Sequence, residues 1–346
     1  MSEDIYEGKR KSKKGLRIFL IIVLVLLIMS LIFVGTLFGV VYSKWTKVQY
    51  YKLENVEINE GVAEQLKGYR NIAVFGVDTR NNSYSNTRSD IIMIVSLNQD
   101  TNKVKIASVY RDTYLYIDGH GYDKVTHAYA YGGPQLAVNT LNKNLDLNIQ
   151  EFVTVNFNAV IDIVDSIGGL DIEVTSEEVG YMNKYIQDIN KEMNRHDSTV
   201  SGSGMKHLTG AQALAYSRVR YTSGGDFKRA ERSRIVLNKT FEKAKTLSIG
   251  QLNKLSDILL PKICTNITAS DIIGMIPNIA NLKMNEGEGW PYKTQFYNNG
   301  VSYVAPVTLE ENVKQLHENL FGNTNYEVSN KVKEYSNGII KKTGYK

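Results

Sequence analysis

Hydrophobic residues are unevenly distributed along the chain. Ile18 to Ser43 is a run of 26 residues without a charge, mostly Ile, Leu, Val and Phe. As a helix it would be roughly 39 Å long, against roughly 30 Å for a bilayer's hydrocarbon core, so it predicts one spanning helix with room to tilt. A core helix of that length would carry a polar face. The apolar part of a cleaved signal peptide would be only about 7–15 residues. After this run the pattern breaks into short segments. Asn71–Val77, Ile91–Leu97 and Lys103–Val109 are β-branched runs bounded by polar turns and predict strands, as do Phe152–Asn156 and Leu170–Val174. Pro134–Leu145 predicts a helix, and so does Asn158–Ile167, which Gly168-Gly169 ends. The capping box Thr209-Gly-Ala-Gln212 opens a further helix to about Ser217. Asp226 is placed to cap another from Phe227 to about Leu247. Strands and helices alternate without the strict period of a barrel, which indicates an α/β class with a mixed sheet.

Four segments follow: a basic tail (1–17), the anchor (18–43), a polar stalk (44–68) and one large domain (69–346) free of repeats or Pro/Ser-rich linkers. Lys9, Arg10, Lys11, Lys13, Lys14 and Arg17 precede the anchor, and Lys44, Lys47 and Lys52 follow it. The larger cluster predicts a cytoplasmic N-terminus, a single pass through the cell membrane and an extracellular C-terminal domain. The net charge of the 346 residues is 41 − 36 = +5, but residues 1–17 supply 6 − 3 = +3 of it. Basicity therefore serves topology and gives no argument for nucleic acid. The single cysteine, Cys264, excludes an internal disulfide framework and any multi-cysteine metal site. An outer domain without disulfides suits a bacterial surface.

If the first three strands form an antiparallel meander, Asp78, Arg88, Asp90, Arg111 and Asp112 meet at one end of it. The chain prefers Lys to Arg, 29 to 12, yet Arg218, Arg220, Arg229, Arg232 and Arg234 fall within 17 positions. Arginine presents a planar fork that binds phosphate oxygens bidentately, so this concentration points to phosphate or pyrophosphate. Arg229 and Arg232 share a helical face at i, i+3, where like charges repel unless an anion lies between them. A solvated basic face paired with Asp226, Glu231 and Glu242 is the competing account of the same residues. Asp78 and Asp90 suit Mg²⁺, which takes one or two carboxylates and completes its octahedron with phosphates and waters. His127 is placed either to line a pocket or to be packed and hydrogen-bonded. His120 and His207 lack metal-ligand spacing. No Walker loop, GxGxxG, GxSxG or HExxH occurs.

Together these segments resemble a known family. Gly76-Val-Asp78, Thr87-Arg-Ser-Asp90 and Ser108-Val-Tyr-Arg-Asp-Thr-Tyr114 resemble the opening motifs of the LytR–CpsA–Psr family. Asp123-Lys-Val-Thr-His-Ala-Tyr-Ala-Tyr-Gly-Gly133, Val155-Asn-Phe157, Val164-Asp-Ser-Ile-Gly-Gly-Leu-Asp171, Leu208 to Arg220 and Asp226 to Arg232 continue the resemblance in order. It spans about residues 70–245 and is loose beyond about 250. The resemblance implies an α-β-α sandwich and a phosphotransferase. Such an enzyme moves a glycopolymer, teichoic acid or capsule, from an undecaprenyl-pyrophosphate carrier to peptidoglycan and forms a phosphodiester. By position it implies Arg88, Arg111, Arg218, Arg220 and Arg229, with Arg232 beside them, as pyrophosphate grips. It further implies Asp78 and Asp90 as magnesium-associated acids, and Asp226 as an acid near the reacting centre that joins Arg88 and Arg111 in catalysis. One departure stands out: the family's usual RxxRQ reads RxxRS here, with Ser233. A non-catalytic polyprenyl-phosphate sensor and a pyrophosphate hydrolase remain open on the same residues.

Overall fold

The structure, a computed structural model, describes residues 39, 42–77, 79, 84, 86–279, 281–285 and 287–346. The chain divides into two units, Met1–Thr46 and Lys47–Lys346. The expected anchor, apart from positions 39, 42 and 43, lies outside the described residues, as does Asp78. Among the described residues no helix is long and apolar enough to cross a membrane.

The second unit is organised on an eight-stranded sheet. Its strands are β1 (Gln49–Tyr50), β2 (Tyr69–Val77), β3 (Ser89–Asn98), β4 (Lys103–Val109), β7 (Glu151–Asn156), β10 (Ile263–Thr265), β11 (Lys283–Met284) and β12 (Glu288–Trp290). The order is β1-β10-β7-β2-β3-β4-β11, with β12 also on β4. β2, β3 and β4 form the expected antiparallel meander, and β7 joins β2 in parallel, so the sheet is mixed. Three hairpins lie outside it: β5 (Tyr114–Ile117) with β6 (Gly121–Lys124), β8 (Leu170–Val174) with β9 (Gly204–Leu208), and β13 (Thr294–Asn298) with β14 (Ser302–Pro306). The helices are α1 (Val62–Gln65), α2 (Val125–Leu145), α3 (Phe157–Ser166), α4 (Ser176–Met193), α5 (Gly210–Arg218), α6 (Gly225–Lys245), α7 (Ile249–Leu259), α8 (Ala269–Ile279), α9 (Leu309–Phe321) and α10 (Asn330–Thr343).

Strand alternation explains the layering, because successive side chains point to opposite faces. Ala73, Phe75, Val77, Ile92, Ile94 and Phe152 point to one face and are buried under α2, α9 and α10 in one core. The alternate positions Val74, Ile91, Met93, Val153 and Val155 point to the other face, where they line a cavity rather than a packed layer. A second core joins α3, α4, α5, α6 and the β8–β9 hairpin, and among the described residues it contains none from the central sheet. Sheet and second core are thus held apart. Gly210 lets α5 lie directly on α3, since a Cβ there would sit 2.1 Å from the Ile161 carbonyl oxygen. The Gly210 N–H also donates to Asp165 Oδ1 at 2.6 Å, which gives the acid of the Val164–Asp171 motif a structural task.

Several expectations need correcting. The stalk, 44–68, belongs from Lys47 onward to the folded unit: β1 lies parallel to β10, Val62 and Leu66 are buried, and Lys47 pairs with Asp257 at 3.0 Å. Its apolar residues are too sparse to form a period, yet they reach the core. The helix expected over Pro134–Leu145 is present, but a further helical segment precedes it from Val125, set off by Gly132 and Gly133, whose backbones are non-helical. Asp226 does not cap α6, because the N-cap is Gly224 in the left-handed region and Asp226 sits in the first turn. The C-terminal part is integral to the first core through Trp290, Leu309, Val313 and Leu316, all fully buried.

His317 on α9 carries a pH dependence. It is stacked on Tyr326 at 3.6 Å and bonded through Nε2 to the Leu145 carbonyl at 3.0 Å. Burial pushes its pKa from 6.5 down to about 4, against the opposing pull of that carbonyl and of Asp146. The unfolded chain takes up the proton near 6.5 and the folded protein only near 4, so acid favours unfolding across that window. Lowering the pH from 7 to 5 should remove about 2 kcal/mol of stability through this one group. Denaturant midpoints for wild type and His317→Phe should diverge in pH slope across that range; equal slopes would refute the assignment.

Candidate active site

The site lies where the described ends of β3 and β4 meet the start of α6 and the end of α5. Ser89 at the start of β3 opposes the end of β2, and β4 runs antiparallel to β3, which brings Asp90 and Arg111 to the same rim. Arg111 Nη1 forms an ion pair with Asp90, and its Nε lies 3.4 Å from Asp112, which also binds Lys124 at 3.1 Å. From the helical side, Arg229 Nη2 donates to Asp226 Oδ2 at 3.0 Å. Arg220 Nε is 3.6 Å from Asp226 Oδ1, a charge contact longer than a hydrogen bond, so that buried oxygen accepts no hydrogen bond. Burial lowers the pKa of the Arg229 guanidinium from its ordinary value; Arg111 and Arg220 push the same way, against Asp226 and Asp90. Such a cluster gains from an anion, which would supply the charge its carboxylates leave unmatched.

Arg218 ends α5 with its guanidinium 5.0 Å from the Phe157 ring centroid and 5.2 Å from that of Tyr185. The guanidinium thus lies over two aromatic rings, and its donors have no partner among the described residues. A guanidinium packed against rings keeps its donor fork for a phosphate. Burial raises the Tyr185 phenol's pKa, whereas Arg218, Arg220 and Arg229 all pull it down, which brings the three arginines around one ring.

Six of the expected residues therefore converge: Asp90, Arg111, Arg218, Arg220, Arg229 and Asp226. Arg88 lies exposed at the outer edge, in electrostatic reach of Tyr131. Arg232 does not join them. It is buried, with Nε on Glu178 Oε1 at 2.6 Å, Nη1 on the Val219 carbonyl at 2.8 Å and Nη2 on Thr222 Oγ1 at 2.8 Å. One helical turn from Arg229, its side chain enters the packing between α4, α6 and the loop after α5, so its donors are spent on the fold.

Two cavities meet at this rim. A small one of about 20 Å³, room for a single water or ion, is lined by Asp90, Arg111, Asp226, Arg229 and Ser233 among others. An apolar one of about 290 Å³ lies between the uncovered sheet face and α3, α5, α6 and α7. Ile91, Met93 and Ser233 line both, so charged mouth and apolar slot adjoin. Ser233 Oγ donates to the Arg229 carbonyl at 3.0 Å.

For a divalent cation the donor set fits. Asp90 and Asp226 border the same small cavity, and one Asp226 oxygen has no hydrogen-bond donor. Among the described residues no three His, Cys, Asp or Glu side chains gather as a metal cage. Phe157 and Tyr185 as residues beside Arg218 escaped the sequence reading, whereas Ser233 stands out there as a departure from the family pattern. Phe157 carried a signal, an aromatic directly after a strand, but Tyr185 sits mid-helix in α4 and carried none.

The chain matches the family model described as the LytR_cpsA_psr family over residues 37–321. It is 30% identical over 327 residues to the polyisoprenyl-teichoic acid–peptidoglycan teichoic acid transferase TagT of Bacillus subtilis, covering 90% of this chain and 98% of that one. Among solved structures, TagT bound to LIIa-WTA is 31% identical with a TM-score of 0.60, over 78% of this chain and 99% of that one. TagT with bound octaprenyl pyrophosphate lipid is 31% identical with a TM-score of 0.53, over 73% and 91%.

The division between fold and site is testable. Arg232→Met leaves the Glu178 carboxylate buried without its partner and should cost about 3–5 kcal/mol. Arg220→Ala, at an exposed pair, should cost under about 1 kcal/mol. Comparable unfolding midpoints for the two variants would contradict this.

Proposed function

This chain belongs to the LytR–CpsA–Psr family, and on that premise we propose that it is a transferase acting at the outer face of the cell membrane. It moves an anionic glycopolymer from a polyprenyl-pyrophosphate carrier to peptidoglycan and forms a phosphodiester. The observation that carries this reading is that the charged and the apolar cavity adjoin at Ile91, Met93 and Ser233. A ligand that fills both must be apolar along its length and strongly anionic at its head. A polyprenyl pyrophosphate has that form, and the relative with bound octaprenyl pyrophosphate supports it.

In this reading the lipid chain covers the uncovered sheet face and removes apolar surface from water at about 25 cal/mol per Å². The diphosphate lies among Arg111, Arg218, Arg220 and Arg229, with Arg88 at the outer edge. Arg218, packed over the rings of Phe157 and Tyr185, contributes a fixed charge of the kind that is effective in phosphoryl transfer. Asp90 and Asp226 hold Arg111 and Arg229 in place and, with Asp78, are the carboxylates that would bind Mg²⁺. When bound, the cation would neutralise charge on the phosphates. The expected span at 18–43 keeps the site beside a carrier that stays in the bilayer.

Full-length protein incubated with Mg²⁺, a pyrophosphate-linked lipid glycan and peptidoglycan oligomers should yield a phosphodiester-linked product. Lipid bound but never turned over would favour a sensor, and free polymer alone a hydrolase. Arg111→Ala should lower transfer by about 100-fold or more while reaching the membrane folded; wild-type transfer in that variant would sink the role. Chelation by EDTA should abolish transfer, and added Mg²⁺ should restore it; full activity after chelation would exclude the cation.

A further inference from the structure

Transfer needs a group to take the proton of the attacking hydroxyl, and the arginine-bound carboxylates are poorly placed to do so. Asp226 accepts Arg229 at 3.0 Å and faces Arg220 at 3.6 Å, and Asp90 is paired with Arg111. A proton arriving on either would displace an ion pair. The segment Asp123 to Gly133, a family motif without an assigned task so far, supplies another group.

His127 Nδ1 lies 2.7 Å from Asp123 Oδ2, and Tyr131 Oη donates to the same oxygen at 2.8 Å. Asp123 Oδ1 accepts the Lys124 backbone N–H at 2.7 Å, so the carboxylate is held at both oxygens. Burial pushes the Asp123 carboxyl's pKa up, but the bonds from His127, the Lys124 N–H and Tyr131 outweigh it and hold the carboxyl below its ordinary range. A carboxylate at Nδ1 selects the tautomer with the proton on that nitrogen and leaves Nε2 as the basic atom. Nε2 has no hydrogen-bond partner among the described residues, and the side chain is 20% exposed. This is the orientation that a carboxylate imposes on a catalytic imidazole in hydrolase triads.

The dyad adjoins the mouth. Thr126 N donates to the Arg111 carbonyl at 3.1 Å and Thr126 Oγ1 to the Ser89 carbonyl at 2.8 Å, so the residue before His127 is pinned between the two strand ends that carry the rim. A chain of contacts runs from Asp123 through its neighbour Lys124 to Asp112 and Arg111. The other charged or titratable groups around the dyad are Arg88, His120, which is stacked on Tyr131 at 4.1 Å, and Tyr303.

Resting on the transfer reading above, we infer that His127, oriented by Asp123, is the general base for the acceptor hydroxyl. The hydroxyl oxygen bonds to the glycan-bearing phosphorus. The bond from that phosphorus to the bridging oxygen breaks, and its electron pair leaves on the lipid monophosphate. The hydroxyl proton passes to His127 Nε2 and then to solvent. Asp123 is a positioning residue, and Tyr131 supports it.

The test uses full-length protein in nanodiscs with a pyrophosphate-linked lipid glycan and peptidoglycan oligomers. Phosphodiester product and released lipid phosphate are followed separately. His127→Gln should lower kcat by about 100-fold or more with lipid affinity within twofold of wild type. It should also lose the acid limb of the pH–rate profile, where protonation of the imidazole stops wild-type turnover. Asp123→Asn should fall between the two, and imidazole in solution should partly restore His127→Ala. Wild-type turnover by His127→Gln, an unchanged acid limb, or a loss that imidazole does not rescue would each overturn the base assignment. If wild type releases lipid phosphate but forms no linked product, the transfer reading fails instead. His127 is then judged by the same variants on that release.

Discussion

The mouth of this protein depends on one buried guanidinium that never reaches it. Arg232 binds Glu178 of α4, the Val219 carbonyl and Thr222 at once. It thereby fixes the start of α6 against the end of α5. Arg218 sits at that helix end and Arg220 just beyond it, and Arg229 lies one turn before Arg232, so all three inherit their positions from this knot. Removing one partner from such a pair leaves an uncompensated charge in the interior, which is why its loss is felt as a loss of fold. Cations gathered around an anion site repel one another, and an arrangement that crowds them needs a rigid frame. Arg232 supplies part of it.

The second constraint is strand alternation. One set of side chains on β2, β3 and β7 is consumed by the core under α2, α9 and α10, and the other set stays uncovered because the second helical core closes on itself. Gly210 and the tie between Asp165 and the Gly210 N–H hold α3 and α5 to each other rather than to the sheet. An apolar face of that kind in a folded domain marks a binding surface. It adjoins the charged rim at Ile91, Met93 and Ser233, so an apolar and a charged surface meet there.

The sheet order around the meander was legible because β2, β3 and β4 are successive β-branched runs and the tight polar turn Asn98–Asn102 joins the last two. The convergence of Asp90 and Arg111 followed from that topology alone. Arg229 and Arg232 show the limit. Their i, i+3 spacing predicts one shared face, but three residues turn a helix by about 300°, and the packing of α4 decided which of the two lines the cavity. Tyr185 and Glu178 sit in a helix with a Thr175–Glu178 capping box, a start signal the sequence carries. Their contacts with Arg218 and Arg232 join residues more than thirty positions apart, beyond what a local pattern reports. The stalk was misread for the opposite reason: Val48, Leu53, Val56, Val62 and Leu66 are too widely spaced to form a period, yet each meets core.

Ser233 brings these constraints to one point. The family pattern usually places a longer amide after the second arginine, and a serine there bears on how the head group is held. Its hydroxyl turns back on the Arg229 carbonyl at 3.0 Å, a local bond that hydroxyls in helices commonly make. That hydroxyl is thereby turned away from the guanidiniums and the carboxylates that orient them. The position also keeps the boundary of the two cavities lined by a small side chain. A residue that closes a helix hydrogen bond while leaving space serves the geometry of the junction, and Arg111 and Arg229, which line the small cavity with it, carry the positive charge there.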